Sequence, residues 1–534
     1  MAFSHFKNSL KQFVKIPLEL KMVKIIKSLA KSVIHSIKHD PEITRIKNKY
    51  PKTFKFLYRR FTKHHKYGLY LTIGVALTIF FASIFIKILK NYFSHAKLIQ
   101  FDLRVINLFS TFRYEKLNHQ ALFVTYLAKG EIIAVGVIVI SLILILIKKW
   151  RFLKAILISV LGGELFVWII KNLIDRPRPP LVSALVNETT YSFPSGHTFV
   201  AIAFYGLLGY LIIQSERNKF LKIISLVFIS FLIVSIGLSR IYLGAHWPSD
   251  VLASFVSGAA WLSILITWLK IKNKFIPLPK PENQFKKITI IISSFLLFLI
   301  WIIFIIGFYF THPLQSKSEI IETKTIIETK NIPQQLFQNL PKVSESISGI
   351  AAEPINMVFV GTKETINDAF IKSGWYLLDG PSLKSYSKII TSLLFDQAYP
   401  TTPGLPVFWD TQPSQFAYGK PTTPKSISSR EHIHFWETDF ITQDYQNIWV
   451  GTAHFDQQIN KKLGIVMPFH TTEIKVDIQR ENIKNELEKN GFIQKTEKID
   501  LTGLSYGIKK GSGNSFLTDG QAYIIFIKNN NEKR

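Results

Sequence analysis

Apolar residues in this chain gather into long runs separated by short polar breaks. Runs at about 68–89, 131–147, 153–170, 197–213, 220–238, 251–268 and 288–310 carry few charges. Their lengths approach the ~20 residues that a bilayer core requires, so seven transmembrane spans are predicted. The stretch 102–129 differs. Phe101, Val105, Ile106, Leu108, Phe109 and Phe112 form an apolar stripe broken by Arg104 and Arg113, which suits a helix lying at the membrane interface. Before the first run, Phe13, Val14, Ile16, Leu18, Leu20, Val23, Ile25, Ile26, Leu29, Val33 and Ile37 mix with lysines at roughly helical spacing. That predicts an amphipathic helix on the membrane surface, with a solvated tail as the alternative.

Past the last run the pattern changes. Residues 311–347 are polar, with Pro333 and Pro341, and read as a linker containing a short helix. From about 349 the segments become short and mixed. Residues 357–360 and 448–453 read as strands, 362–373 and 479–490 as helices, and Gly and Pro punctuate the remainder. Residues 511–514 (Gly-Ser-Gly-Asn) lack the lysine and following helix of a phosphate loop and read as a turn. The expected fold class is an all-α polytopic membrane domain, a six-helix core plus one extra span, with a C-terminal soluble α/β domain. The expected segments are a basic amphipathic region at 1–66, the membrane core at 67–270, a loop and seventh span at 271–310, the linker at 311–347 and the α/β domain at 348–534.

Composition supports the membrane class. Hydrophobic residues make up 48% of the 534 positions although 19% are charged. The chain has no cysteine, which excludes disulfides and thiolate-bound metals. The net charge of +29 is concentrated before the first span, at positions such as Lys7, Lys11, Lys15, Lys21, Lys24, Lys27, Lys31, Arg59 and Arg60. A basic flank ahead of a span faces anionic lipid in the cytoplasm rather than nucleic acid. Lysines interrupt the early apolar residues every few positions, so no cleavable signal peptide is expected. With the N-terminus inside, the basic loops 148–151, 216–219 and 270–287 face the cytoplasm. Loops 171–197 and 239–250, and the C-terminal domain, then face the opposite side.

Those two outer loops carry the candidate chemistry in three clusters. The first holds Lys171, Arg178 and Pro179; the second is Pro194-Ser195-Gly196-His197; the third holds Ser239, Arg240, His246 and Asp250. Lysine and arginine are costly in hydrocarbon and line wet cavities or snorkel at the interface. For one isolated cation the snorkelling reading is the stronger. Three cations beside two histidines on one face point instead to an anion site. Arginine's fork matches phosphate oxygens, and lysine adds a point charge. Ser195 suits a helix cap, and Gly196 leaves the backbone open to an anion at a helix start. Pro248 fits the first position of a helix, which sets Asp250 in its first turn, four residues after His246. A carboxylate on one imidazole nitrogen fixes the tautomer and strengthens the other as a nucleophile. His197 is then the candidate general acid, with an ordinary pKa near ~6.5 suited to the task.

The three clusters resemble the three motifs of the phosphatidic acid phosphatase type 2 superfamily, which includes lipid phosphate phosphatases and vanadium haloperoxidases. Its pattern is Lys, six residues, Arg-Pro; then Pro-Ser-Gly-His; then Ser-Arg, five residues, His, three residues, Asp. This chain matches every position, over roughly residues 68–270. The resemblance implies that His246 attacks phosphorus and forms a phosphohistidine, oriented by Asp250. It implies that His197 protonates the leaving oxygen. Lys171, Arg178, Ser195, Gly196 and Arg240 would hold the phosphoryl oxygens. Fixed cations and N–H donors are suited to charge spread over phosphoryl oxygens, so neither metal nor other cofactor is expected.

The expected activity is hydrolysis of a lipid phosphate or diphosphate, with undecaprenyl diphosphate, phosphatidic acid and phosphatidylglycerol phosphate as candidate substrates. The expected location is the outer face of a bacterial inner membrane. Its partners would be the lipid substrate and membrane lipids, with no nucleic acid and any protein partner reached through the C-terminal domain. Alternatives are a lipid phosphotransferase using the same site and a non-catalytic binding scaffold.

Residues from about 349 to 500 resemble the C-terminal domain of LssY-type bacterial membrane proteins. The matching pieces are Gly374-Trp375, residues 412–420, the segment from Arg430 through His432 and His434 to Trp436, and residues 450–453. No activity is carried over from that family. His432 and His434 would share one face of a strand, where Glu437 or His454 could complete a metal site; polar residues lining a strand or cleft are the simpler expectation.

Overall fold

The computed structural model describes residues 28, 32, 36, 40–62, 68–94, 96–180, 184–215, 218–275, 287–314, 324–395, 397–404, 406–423, 429–459, 470–472, 475–503, 506–508 and 515–528. The apolar positions Phe13 to Ile37 of the expected amphipathic helix, and the 511–514 turn, lie outside them. The chain divides into two units, one of residues 1–77 and 266–280, the other of 78–265 and 281–534.

The membrane region is helical. Two short helices, α1 (Pro41–Lys49) and α2 (Pro51–Phe61), come first. Each opens on proline, whose fixed φ suits a helix start. They are followed by α3 (Leu69–Ser94), α4 (Ala96–Thr111), α5 (Glu115–Tyr126), α6 (Gly130–Leu146) and α7 (Trp150–Ile174). Then come α8 (Gly196–Ser215), α9 (Lys219–Tyr242), α10 (Pro248–Phe275) and α11 (Lys287–Thr311). Six of these, α3 and α7 to α11, are long and apolar enough to cross a membrane; α5 and α6 together make a seventh candidate bent by 46°. Many large apolar side chains on them stay exposed, including Ile79, Leu161, Phe228 and Phe295. Such surfaces are stable in lipid, and helices satisfy their own backbone there. The chain is a multi-pass membrane protein.

The first unit holds α1, α2, the start of α3 and the end of α10. Within it Thr72 donates through Oγ1 to the Arg60 carbonyl at 2.9 Å, and the Lys270 ammonium lies 5.4 Å from the Tyr70 ring.

In the second unit the 102–129 stretch forms two helices, α4 and α5, packed against the rest of the unit. Ile106 packs with Ile241, Trp247 and Val251. The two arginines that break the stripe have protein partners: Arg104 meets Glu345, and Arg113 donates to the Tyr242 carbonyl at 2.8 Å. Asn118 of α5 accepts from the Tyr242 hydroxyl at 2.7 Å. The polar positions Arg104, Arg113 and Asn118 thus bond to protein groups.

The C-terminal domain is a mixed nine-stranded sheet. Its strands are β1 (Thr325–Ile327), β2 (Met357–Val360), β3 (Tyr376–Leu377), β4 (Phe416–Pro421), β5 (Arg430–Thr442), β6 (Asn447–Ile459), β7 (His470–Thr472), β8 (Ile493–Asp500) and β9 (Gln521–Ile527). The order is β8-β9-β2-β6-β5-β4-β3, with β1 on β5 and β7 on β6. The pairs β9–β2 and β1–β5 are parallel. Strand alternation sorts the core. Met357, Phe359, Phe435 and Trp449 point to one face, against helices Lys363–Lys372 and Asp477–Lys489. Val358, Val360, Trp436 and Val450 point to the other, with Ile332 and Leu336 of helix Ile332–Phe337.

That last helix and β1 lie in the expected linker. The linker's short helix is there, but residues 325–345 belong to the folded domain: β1 lies beside β5, and strand Val343–Glu345 joins a second, four-stranded sheet. Polar composition concealed them, because strands only three residues long carry no readable alternation.

Helix α4 holds this domain. Arg104 donates through Nε and Nη2 to the two carboxylate oxygens of Glu345, at 2.8 and 2.5 Å, and Asn107 donates to the Thr411 carbonyl at 3.1 Å. The Arg104 and Glu345 side chains are only 3% and 18% exposed, so the pair is largely desolvated. Removing one member leaves the other charge buried, at a cost of about 3 kcal/mol. Arg104→Met should therefore raise amide exchange in segments 343–350 and 408–412 while leaving the central strand 357–360 protected; unchanged exchange would show that the domain is held elsewhere.

Candidate active site

Helix α7 ends at Ile174, with Asp175 in a left-handed conformation (φ +43°) that turns the chain away from the axis. A strap to residue 195 then crosses the helix ends. Helix α9 stops at Tyr242, and Gly244, at φ +68°, supplies the left-handed residue that the turn needs. This turn presents His246 before α10 begins at Pro248, the position expected for that proline.

His246 and Asp250 are buried, at 1% and 0% side-chain exposure, and His246 Nδ1 lies 3.5 Å from Asp250 Oδ2. The expected imidazole–carboxylate hydrogen bond is not formed, since Nδ1 has no partner among the described residues. The carboxylate is held by others. Asp250 Oδ2 accepts from the Trp247 backbone N–H at 3.1 Å, and Oδ1 accepts from Arg176 Nη1 at 2.6 Å. Hydrogen bonds of a resting catalytic site commonly tighten only when substrate binds. On the other side of the ring, Nε2 lies 3.4 Å from Arg178 Nη1. Burial first, then the charges of Arg240, Arg178 and Lys171, hold the imidazole well below its usual pKa. It is therefore neutral near neutral pH and keeps a lone pair.

The cations are positioned by the strap. Lys171 donates to Thr190 Oγ1 at 2.9 Å and to the Tyr191 carbonyl at 2.7 Å. Arg178 reaches the same threonine through Nη2 at 3.0 Å and donates to the Ala245 carbonyl at 2.5 Å. Arg240 donates to Thr125 Oγ1 at 2.9 Å and to Glu188 at 2.5 Å, while its buried Nε has no partner among the described residues. His197 sits in the first turn of α8, and its buried Nε2 is likewise unpartnered there. His197, Arg240, Glu188 and Thr125 line one cavity of about 550 Å³.

One expectation for the second cluster is corrected. Ser195 is the N-cap of α8, but its side chain makes no cap bond; its Oγ accepts from Thr198 Oγ1 at 3.0 Å, and its N–H is directed at the Asp250 carbonyl at 3.4 Å. At Gly196 an added Cβ would meet Val167 at an ordinary 3.7 Å.

Four residues around the site escaped the sequence reading: Asp102, Arg176, Glu188 and Ser249. Arg176 Nη2 donates to Asp102 Oδ2 at 2.7 Å while Nη1 holds Asp250, and the Ser249 backbone N–H donates to Asp102 Oδ1 at 2.9 Å. The Arg176 guanidinium also lies 4.7 Å from the Tyr92 ring and 5.3 Å from that of Trp247. The available signal was an acid at position 102 inside an otherwise apolar stripe, which seldom occurs without a partner.

Residues 150–274 match the PAP2 superfamily, and residues 337–522 match the LssY C-terminus. The first match falls in the membrane region and the second in the C-terminal domain. Phosphatidylglycerophosphatase B of Bacillus subtilis (strain 168) is 37% identical over 95 residues, which are 17% of this chain and 44% of that protein. The undecaprenyl-diphosphatase of Sulfolobus acidocaldarius is 33% identical over 98 residues, 18% of this chain and 41% of that protein. The chain thus spans less than half the length of these relatives. The crystal structure of a transmembrane PAP2-type phosphatidylglycerolphosphate phosphatase from Bacillus subtilis aligns at 24% identity with a TM-score of 0.34, covering 38% of this chain and 98% of that one.

Arg176 is the cation between two carboxylates, and all three side chains are at most 3% exposed. Arg176→Met leaves both acids without their guanidinium and should cost about 3–5 kcal/mol. Thermal unfolding in detergent, followed by tryptophan fluorescence, reads this directly; an unshifted transition would remove Arg176 from the role assigned to it.

Proposed function

We propose that the chain is a membrane phosphatase that removes phosphate from a lipid phosphate or diphosphate through a phosphohistidine on His246. The observation that carries this reading is the surroundings of His246. A neutral buried imidazole has Arg178 at one nitrogen and a buried carboxylate 3.5 Å from the other. The likeness to phosphatidylglycerophosphatase B and undecaprenyl-diphosphatase supports the substrate class.

In the proposed reaction the Nε2 lone pair attacks phosphorus in line with the leaving oxygen. Bonds to Lys171, Arg178 and Arg240 gain strength as charge spreads over the phosphoryl oxygens. The start of α8 at Gly196, where a helix leaves its first N–H groups without intrahelical partners, suits one of those oxygens. Bond cleavage sends the electron pair to the leaving oxygen, and His197 supplies its proton. His197 then takes a proton from water as the water attacks the phosphohistidine, which restores His246 and releases phosphate. As the imidazole gains positive charge, Asp250 stabilises it, while Arg176 and Trp247 fix the carboxylate.

We propose that the site opens on the outer face of a bacterial inner membrane. The basic loop residues Lys148, Lys149, Arg151 and Lys270 fit the inner side. Helix α4 supports a shared side for site and C-terminal domain: Asp102 reaches the first, and Arg104, two residues on, reaches the second.

His246→Ala should reduce phosphate release from a panel of micellar lipid phosphates by at least ~10³-fold with an unchanged melting profile; retained turnover refutes the nucleophile. A labelled acceptor lipid included in the same assay identifies phosphotransfer if label passes to it. Vanadate, which imitates the five-coordinate phosphoryl group, should inhibit, whereas a chelator should leave turnover near its starting value. Turnover that is lost to chelator and restored by metal would overturn the metal-free mechanism.

A further inference from the structure

The C-terminal sheet carries a second cluster that the phosphatase reading does not use. On one face of β5 and β6, His454 lies directly across from His432, Thr452 from His434 and Asp456 from Arg430. The two-residue alternation puts His432, His434, His454 and Asp456 on the same side. This is the face whose other end, at Trp436 and Val450, belongs to the apolar core. The three imidazoles are buried, with ring centroids 4.3, 5.1 and 5.9 Å apart. Each offers a nitrogen such that the three lie within 4.8 Å of one another.

Their hydrogen bonds are incomplete in one direction. Asp456 stands behind two of the rings, with Oδ2 3.2 Å from His432 Nδ1 and Oδ1 3.4 Å from His454 Nε2. Ser414 Oγ lies 3.1 Å from His434 Nδ1. The opposite nitrogens of the first two, His432 Nε2 and His454 Nδ1, are buried without a partner among the described residues. A purely structural network would pair them, because an unmet buried polar atom costs about 1–3 kcal/mol. Imidazoles backed by a carboxylate and a hydroxyl, with one nitrogen of each within 4.8 Å of the others, form the arrangement that orients metal ligands.

We propose that His432, His434 and His454 bind one divalent transition-metal ion, for which Zn²⁺ is the best fit. Three neutral imidazoles without thiolate suit zinc, at bond lengths of about 2.0–2.1 Å. Glu437, the other ligand considered from sequence, is excluded, as it pairs with Lys324. Arg430 does not compete for the site: its Nη1 is held by the Thr402 carbonyl at 2.5 Å, and its Nε lies 3.6 Å from Asp456 Oδ2. His434 also lines a cavity of about 480 Å³, together with Lys363, Asp379 and Ser414 of the C-terminal domain and Asn107 and Thr111 of α4. The three histidines leave the fourth position of a tetrahedral ion for water or a small anion arriving through that cavity, as in open rather than structural zinc sites.

The test uses the purified full chain in detergent, stripped with chelator and dialysed. Zn²⁺ alone should bind at about one equivalent per chain and raise the unfolding temperature. Co²⁺ alone should give the intense visible absorption of a tetrahedral site, which added Zn²⁺ abolishes. His434→Gln, which retains a polar side chain beside the cavity, should lose the Co²⁺ band and the Zn²⁺-induced shift while keeping the unfolding temperature of the stripped wild type. The wild-type result stands even if that variant fails to fold. No Co²⁺ band in the wild type, or an undiminished band in folded His434→Gln, overturns the proposal. Phosphate release at His246 is independent of this outcome, so the two readings fail separately.

Discussion

A single guanidinium holds one end of the membrane domain together. Arg176 lies between Asp102 of α4 and Asp250 of α10, with all three side chains withdrawn from solvent. Charges so placed are tolerated only where every oxygen and N–H finds a partner. The Ser249 and Trp247 backbone N–H groups and the two aromatic rings against Arg176 complete the set. The cost of breaking any part fixes α4, α10 and the strap in one arrangement. The turn that presents His246 runs between those fixed points, so the imidazole has little freedom to drift.

The same helix connects the two halves of the second unit. Asp102 and Arg104 are two positions apart on α4 yet serve different domains. The cavity beside His434 includes α4 residues as well. Polar side chains on α4 thus make protein contacts toward both halves. The C-terminal domain is therefore seated on α4, and residues 325–345 fold as part of it.

The two histidine clusters illustrate different uses of burial. At His246 the ring is surrounded by cations, so it remains neutral while keeping an anion-binding environment. At His432, His434 and His454 the neighbouring charge is the carboxylate of Asp456 with Arg430 beside it, and one nitrogen of each ring lies within 4.8 Å of the others. The first setting favours a phosphoryl group; the second favours a cation.

Most membrane spans were legible in the sequence because lipid imposes a length and an apolar composition on each helix independently of its neighbours. The PAP2 motifs were legible for a related reason: their residues keep fixed spacing within three short segments. The central strands 357–360 and 448–453 and the helices beside them were readable from local periodicity. What sequence left open depends on contacts between distant segments. Asp102 meets Arg176 across 74 positions and Arg104 meets Glu345 across 241, and no local pattern encodes either pairing. Likewise His432 and His434 announce one strand face, but only the register of β5 against β6 selects His454 over Glu437 as their companion. Composition and periodicity decide which segments become helices or strands; the placement of charges and imidazoles against one another is settled when those segments pack.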